Sequence, residues 1–110
     1  MNSTKLPAVS NILETCSVTS NTEQFFPLVI TPNVTLEKIE SHGCATPEGD
    51  WYDQKATEWV MLVAGSATLL FESEECLVLK AGDYVTLPAH CKHRVNWCSE
   101  DASWLALHIL

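Results

Sequence analysis

The order of apolar and polar positions predicts a chain built almost entirely from β-strands. Most segments are short, rich in Val, Ile, Thr, Leu and aromatic residues, and end at Gly, Pro, Asn or Asp, which is typical of strands. Nine strands are predicted, at residues 24–30, 34–41, 50–53, 58–64, 66–72, 76–79, 84–87, 93–97 and 103–110. Nine short strands in one domain predict an all-β sandwich or barrel.

The segment 58–64 is the strongest candidate for the centre of the core. Its sequence, EWVMLVA, is apolar on both alternating faces after Glu58, so it predicts a strand that is covered on both sides. Glu58 therefore opens a buried strand without an evident charge partner, which favours a functional role for this carboxylate.

The length of the chain, 110 residues, is enough for one hydrophobic core and too short for two ordinary domains. Residues 1–22 are polar and only weakly patterned. We predict that they form an N-terminal arm or an edge strand, and that residues 23–110 form the barrel domain.

Charge and targeting signals narrow the function classes. Six Lys and Arg against fourteen Asp and Glu give a net charge of -8, which argues against nucleic acid and anionic membranes as partners. The chain shows no secretory signal, no membrane-length apolar stretch and no C-x-x-C among its five cysteines. These features predict a cytoplasmic protein.

Two spacings carry a family resemblance. Six residues separate Glu58 from Gly65, and five separate Gly82 from Pro88, which is followed by His93. These strings resemble the two motifs of the cupins, one running from His-x-His through Glu to Gly and the other from Gly through Pro to His. The resemblance covers about residues 50–97 and implies a double-stranded β-helix, or jelly-roll barrel. The strings WYDQ, EW, PAH and HRV are similar to a subgroup of small bacterial cupins whose role is poorly defined.

The resemblance also implies a metal site at the mouth of the barrel. In cupins the four motif positions hold one metal ion, and they fall here on Trp51, Asp53, Glu58 and His93. An indole does not coordinate metal, so Asp53, Glu58 and His93 remain as candidate ligands. A four-residue loop, 54–57, would make Asp53 and Glu58 cross-strand neighbours with side chains on one face.

Alternatives remain open at this site. A shift of one residue in register would pair Gln54 with Glu58 and turn Tyr52 inward. His90 stands where the cupin pattern has a Gly, and it is a candidate for the fourth ligand, although a simply exposed His fits the position too. Asp, Glu and two His would suit Fe, Mn, Ni or Zn. His108 either lines the cavity or lies in a subunit contact.

The resemblance implies a small-molecule ligand and allows two functions. The first is a metal-dependent enzyme of the dioxygenase, isomerase or lyase type. The second is a non-catalytic module that binds a small ligand, or a barrel that has lost its metal. The loss of metal stays an alternative because Trp51 occupies one of the four ligand positions. The apolar terminal strand, 104–110, and the N-terminal arm predict a homodimer.

Overall fold

The computed structural model describes residues 6–14 and 22–110, and these residues contain eight strands and no helix. Each strand ends close to the boundary that the sequence predicts. The strands are β1 (Gln24–Ile30), β2 (Val34–Glu40), β3 (Thr57–Ala64), β4 (Ser66–Phe71), β5 (Cys76–Lys80), β6 (Tyr84–Leu87), β7 (His93–Cys98) and β8 (Ser103–Ile109).

The strands form two antiparallel sheets. The larger sheet has the order β1-β2-β8-β3-β6 and the smaller one the order β5-β4-β7. The C-terminal strand β8 lies between β2 and β3, so strands far apart in sequence become neighbours. The all-β jelly-roll prediction is confirmed by this pair of antiparallel sheets, whose strands share one core.

The core lies between the two sheets and is built by alternate residues of the strands. Val60 and Leu62 of β3 pack with Leu69 of β4, and Leu62 is fully buried. Because side chains alternate across a strand, Trp59 lies on the opposite face of β3. Trp59 is only partly buried and packs on Tyr84, with 5.4 Å between ring centroids. The prediction of a strand covered on both sides is therefore correct for the inner face alone.

The turn between β3 and β4 joins the two sheets at Gly65, which has φ +81°. A Cβ atom at this position would meet Ser99 Oγ and would lie 3.0 Å from Ala102 Cα. Glycine is needed here both for the left-handed backbone and for the close approach of the neighbouring turn.

The predicted strand at residues 50–53 is wrong. Only Tyr52 pairs, in an isolated bridge with His93 in which each backbone N–H donates to the other's carbonyl, at 2.8 and 3.1 Å. The pairing stays short because the chain turns before it, where Asp50 N donates to Pro47 O. Two residues after Tyr52, the carbonyl of Gln54 accepts from the backbone N–H of His90 instead of extending the ladder.

The prediction of an arm or edge strand over residues 1–22 falls largely outside the described residues, since residues 1–5 and 15–21 are not among them. Residues 6–14 contain no strand. They approach β2, where the ammonium of Lys38 donates to the carbonyl of Glu14. Within the described ranges, no helix is long and apolar enough to span a membrane.

Candidate functional site

A cavity of about 50 Å³ opens between the two sheets. Apolar side chains of the core form one part of its wall, among them Val60, Leu69 and Val95. The remaining wall carries the chemistry of the site. The polar residues that line the cavity are Glu23, Glu37, Tyr52, Gln54, Glu58, His93 and His108.

The strand period explains why polar groups gather at this cavity. Glu58 lies two residues before Val60 on β3, and His93 two residues before Val95 on β7, so each points inward at the strand end where the core stops. On β8, His108 continues the inward row that contains the buried Ala106. These three side chains therefore meet at one end of the core.

Glu58 and His93 form the centre of the site. Glu58 Oε1 lies 3.3 Å from His93 Nε2, and both side chains are almost fully buried. The other ring nitrogen of His93, Nδ1, donates to the carbonyl of Cys91 at 2.8 Å. Burial alone lowers the pKa of His93, but the hydrogen bonds to Glu58 and to the Cys91 carbonyl outweigh it and raise the pKa above its ordinary value. His93 therefore faces Glu58 with Nε2 in a fixed ring orientation.

His108 lies on the other side of Glu58. Its Nε2 is 3.7 Å from Glu58 Oε2 and 3.1 Å from Glu37 Oε1. Two imidazoles and two carboxylates thus alternate along the cavity wall in the order His93, Glu58, His108, Glu37. Of the two positions that the sequence allows for His108, the structure shows the cavity.

Glu23 forms a second polar group at the cavity. Tyr52 Oη donates to Glu23 Oε1 at 2.9 Å, and Ser41 Oγ donates to Glu23 Oε2 at 3.0 Å. Ser41 in turn accepts from Trp104 Nε1 at 3.0 Å. Burial and the neighbouring Glu23 carboxylate raise the pKa of Tyr52, so the phenol stays protonated and serves as a donor.

Asp53 and His90 do not line the cavity. His90 Nδ1 lies 3.0 Å from Asp53 Oδ1, with the two side chains 67% and 40% exposed. The expected hairpin between Asp53 and Glu58 is wrong, because Glu58 pairs with Leu87 and His108. Asp53 and His90 therefore form a solvent-facing pair apart from Glu58 and His93.

The bridge at Tyr52 explains why Asp53 faces outward. It places the Tyr52 ring against the His93 ring, with 5.5 Å between centroids, and the neighbouring Trp51 lies on the outer side near Arg94. Tyr52 and Gln54 consequently line the cavity, as the alternative register expects, although neither pairs with Glu58.

Sequence reasoning missed two cavity residues, Glu23 and Glu37. Glu37 lies on the inward row of β2 between Thr35 and Ile39. This row mixes polar and apolar residues, so the local pattern does not mark Glu37 as a cavity residue. Glu23 precedes β1 and carries no motif. Its proximity to Tyr52 arises only from the fold.

The donor chemistry of the cavity suits a divalent metal ion. A histidine that donates Nδ1–H to a backbone carbonyl, as His93 does, has the orientation that metal-ligating histidines usually have. Carboxylate oxygens and imidazole Nε2 atoms are ligands for Fe, Mn, Ni and Zn. In the described part of the chain, however, no three His, Cys, Asp or Glu side chains are already arranged to hold an ion. Glu58, His93 and His108 are suitable ligands by kind, while their present contacts are with one another and with Glu37.

Comparison with known proteins shows which solved structures share this fold. No family model matches the chain, and no curated protein matches it. A crystal structure from Ralstonia eutropha JMP134, of a protein provisionally named a mannose-6-phosphate isomerase, is 39% identical with a TM-score of 0.86, covering 94% of this chain and 98% of that one. A cupin superfamily protein from Desulfitobacterium hafniense DCB-2 is 14% identical with a TM-score of 0.73, covering 86% of this chain and 84% of that one.

Metal-containing structures are also among the similar folds. The Fe(II) form of HppE is 14% identical with a TM-score of 0.70, covering 84% of this chain and 54% of that one. Together the sheets and the structural similarities define a jelly-roll protein of the cupin type. At 39% identity over nearly the whole of both chains, the protein belongs to the same family as the Ralstonia protein, and its fold is that of the cupins.

Proposed function

We propose that this cupin binds a divalent metal ion in the cavity through Glu58, His93 and His108, and binds or transforms a small organic molecule there. The observation that carries the proposal is the position of the Glu58 carboxylate between two imidazoles, 3.3 Å from His93 Nε2 and 3.7 Å from His108 Nε2. The similar fold of the Fe(II) and Co(II) forms of HppE supports a metal in a cupin barrel.

The proposed ligand set keeps two of the residues that the sequence indicates, omits two and adds one. Glu58 and His93 stay, because both are buried and face each other. Asp53 and His90 are left out, because they pair with each other in solvent. His108 takes the third place, with Glu37 beside it at 3.1 Å. Fe, Mn, Ni and Zn all suit such a set.

A bound ion would supply Lewis-acid or oxygen chemistry of the dioxygenase, isomerase or lyase type. The chain's own residues supply the surroundings. Tyr52 is a phenol donor held in place by Glu23, and Val60 and Leu69 provide an apolar wall. Glu37 is the carboxylate placed to accept a proton from a molecule bound beside His108. The provisional name of the Ralstonia protein refers to a phosphorylated hexose, a ligand that the three carboxylates at this cavity disfavour.

Metal analysis of protein purified without an affinity tag, before and after loading with Fe, Mn, Ni or Zn, tests the proposal. We expect one ion per chain, and at least tenfold weaker binding in Glu58→Gln and His93→Gln. Asp53→Asn and His90→Asn are matched controls that change an equivalent acid and imidazole outside the cavity, and they should keep the ion. Wild-type protein that accepts none of the four metals overturns the proposal. Loss of metal in the control variants as well as in Glu58→Gln and His93→Gln would restore the ligand set that the sequence indicates.

One observation favours a second function, a metal-free binding module. The pairs Glu58 with His93 and Glu37 with His108 already satisfy one another at 3.3 and 3.1 Å. A protonated His93 beside Glu58 needs no ion to balance the buried carboxylate. Protein that stays metal-free yet binds a small molecule in this cavity would establish the second function in place of the first.

A further inference from the structure

We infer that the ligand of this cavity is a small molecule that offers N–H or O–H donors and carries no phosphate or carboxylate. The inference rests on the proposed function, because it names the class of molecule that the same site takes. The size of the cavity limits how large a fragment it encloses, and the charge of its walls determines the chemistry of that fragment.

Size is the first property. At roughly 10–15 Å³ for each water-sized group, a cavity of about 50 Å³ encloses roughly three to five such groups. Pockets that enclose drug-sized molecules measure roughly 300–1,000 Å³. A phosphorylated hexose has several times as many non-hydrogen atoms as the cavity can enclose. The enclosed part of any ligand is therefore a fragment of roughly three to five non-hydrogen atoms, by the same volume per group.

Charge is the second property. Three carboxylates line the cavity, those of Glu23, Glu37 and Glu58, and no Lys or Arg is among its described lining residues. The nearby cations belong to other surfaces. Lys38 pairs with Glu40 on the outer face of β2, and Arg94 donates to the carbonyl of Thr46.

A divalent ion would offset only two of the three carboxylate charges and leave the walls negative. Phosphate groups in proteins are usually held by Arg, Lys or backbone N–H groups. A second anion would therefore enter this cavity against repulsion, which is strong where little water remains to screen it. Ligands that are neutral or positive meet no such barrier.

Glu23 is the acceptor that selects for a donor on the ligand. Its two oxygens are fixed by Tyr52 and Ser41 at 2.9 and 3.0 Å, and both of these partners are neutral. A carboxylate oxygen can accept more than one hydrogen bond. Each oxygen of Glu23 can therefore accept a further hydrogen bond while Tyr52 and Ser41 hold it in place. An ammonium or hydroxyl group of the ligand would donate that hydrogen bond.

Binding of two size-matched probes tests the inference. Ethanolamine is a cation with a hydroxyl group, and glycolate is an anion with one. We expect calorimetry on the metal-loaded protein to give at least tenfold tighter binding for ethanolamine than for glycolate or mannose 6-phosphate. Glu23→Gln should weaken the binding of ethanolamine at least tenfold. Glu100→Gln, a change at an exposed acid, should leave the binding of ethanolamine unchanged.

Metal content measured on the same samples separates this inference from the proposed function. Protein that holds its ion but binds an anion better than ethanolamine overturns the inference and leaves the metal site intact. Ethanolamine binding that survives Glu23→Gln unchanged also overturns it. Protein without metal that still binds ethanolamine through Glu23 overturns the metal site and supports the ligand class.

Discussion

His108 Nε2 and Glu37 Oε1 lie 3.1 Å apart and join the neighbouring strands β8 and β2 at the wall of the cavity. Both side chains are largely buried, at 16% and 19% exposure. This hydrogen-bonded contact holds the imidazole in one orientation, and Glu58 Oε2 lies 3.7 Å from the same nitrogen. The pair thus orients His108 toward Glu58.

The first prediction concerns this pair. Glu37→Gln keeps the size of the side chain and removes its charge, so His108 should be held less firmly. Glu37 Oε1 contacts Nε2, the nitrogen that would coordinate the ion, so its contribution to metal binding is that of a neighbouring negative charge. We expect its removal to weaken metal binding by up to about tenfold. His108→Gln should cost more, because it removes a proposed ligand.

Titration against a chromophoric chelator measures both affinities, and Glu48→Gln, at an exposed turn, is the control. Equal affinity in wild-type protein, Glu37→Gln and His108→Gln would remove His108 from the ligand set.

The strands of this fold could be predicted from sequence because their signals are local. The alternation of apolar residues and the turn residues, such as Gly65 and Gly82, can be recognised within about ten positions of sequence. The predicted strand boundaries agree closely with those of the structure. The inward direction of His93 follows from the same alternation, since Val95 shares its face and the polar Arg94 and Asn96 lie on the other. Residues 58–64 are apolar on both faces, so the direction of Glu58 is indicated by the cupin motif instead.

The remaining part of the site could not be predicted because long-range contacts decide it. One backbone bridge between Tyr52 and His93 sets which of residues 51–54 face inward, and no local pattern encodes that bridge. Glu23 and Glu37 reach the cavity only through the pairing of β1, β2 and β8. A sequence motif indicates ligands by spacing, and spacing cannot record a shift of one residue in register.

The second prediction concerns two glycines in left-handed backbone. Gly65 and Gly82 have φ values of +81° and +93°, so alanine costs about 1–2 kcal/mol at either. Only at Gly65 would the new methyl group also meet neighbouring atoms, including Ala102 Cα at 3.0 Å, whereas nothing lies within 4 Å at Gly82. Gly65→Ala should therefore lower the free energy of unfolding by about 3 kcal/mol or more. Urea unfolding measures both variants, and equal losses would contradict the packing described at Gly65.

The third prediction concerns thiol reactivity. Burial and the nearby Glu23 carboxylate raise the pKa of Cys98 above its ordinary value of 9.0, and its thiol donates to the carbonyl of Cys44. Cys76 is exposed. Because the thiolate is the reactive form, iodoacetamide at pH 8 should modify Cys76 at least tenfold faster than Cys98, as measured by peptide mass spectrometry.

The direction of the Cys98 shift also fixes its effect on stability. Since the folded-state pKa is raised, the thiol's contribution is complete below about pH 9 and is lost as the pH rises through the folded-state pKa. Cys98→Ala should therefore flatten the decline of unfolding free energy above pH 9. Fast alkylation of Cys98 in the native protein at pH 8 would contradict its burial.

The last prediction concerns association. A homodimer stays a prediction from sequence, and β1 offers a place for it, since it ends the five-stranded sheet with no further strand beside it in the described ranges. Leu28, Val29 and Ile30 on this strand are 47%, 47% and 70% exposed. Exposed apolar edge strands tend to pair with another chain, and a lysine on the edge opposes such pairing.

Light scattering at micromolar concentration should therefore give the mass of two chains, and Ile30→Lys should shift it toward one. Val78→Lys is the matched control, because Val78 is 80% exposed on β5, the edge of the smaller sheet. A dimer that dissociates with the change at Val78 and persists with the change at Ile30 would place the interface on the smaller sheet. A wild-type monomer would exclude the homodimer at that concentration.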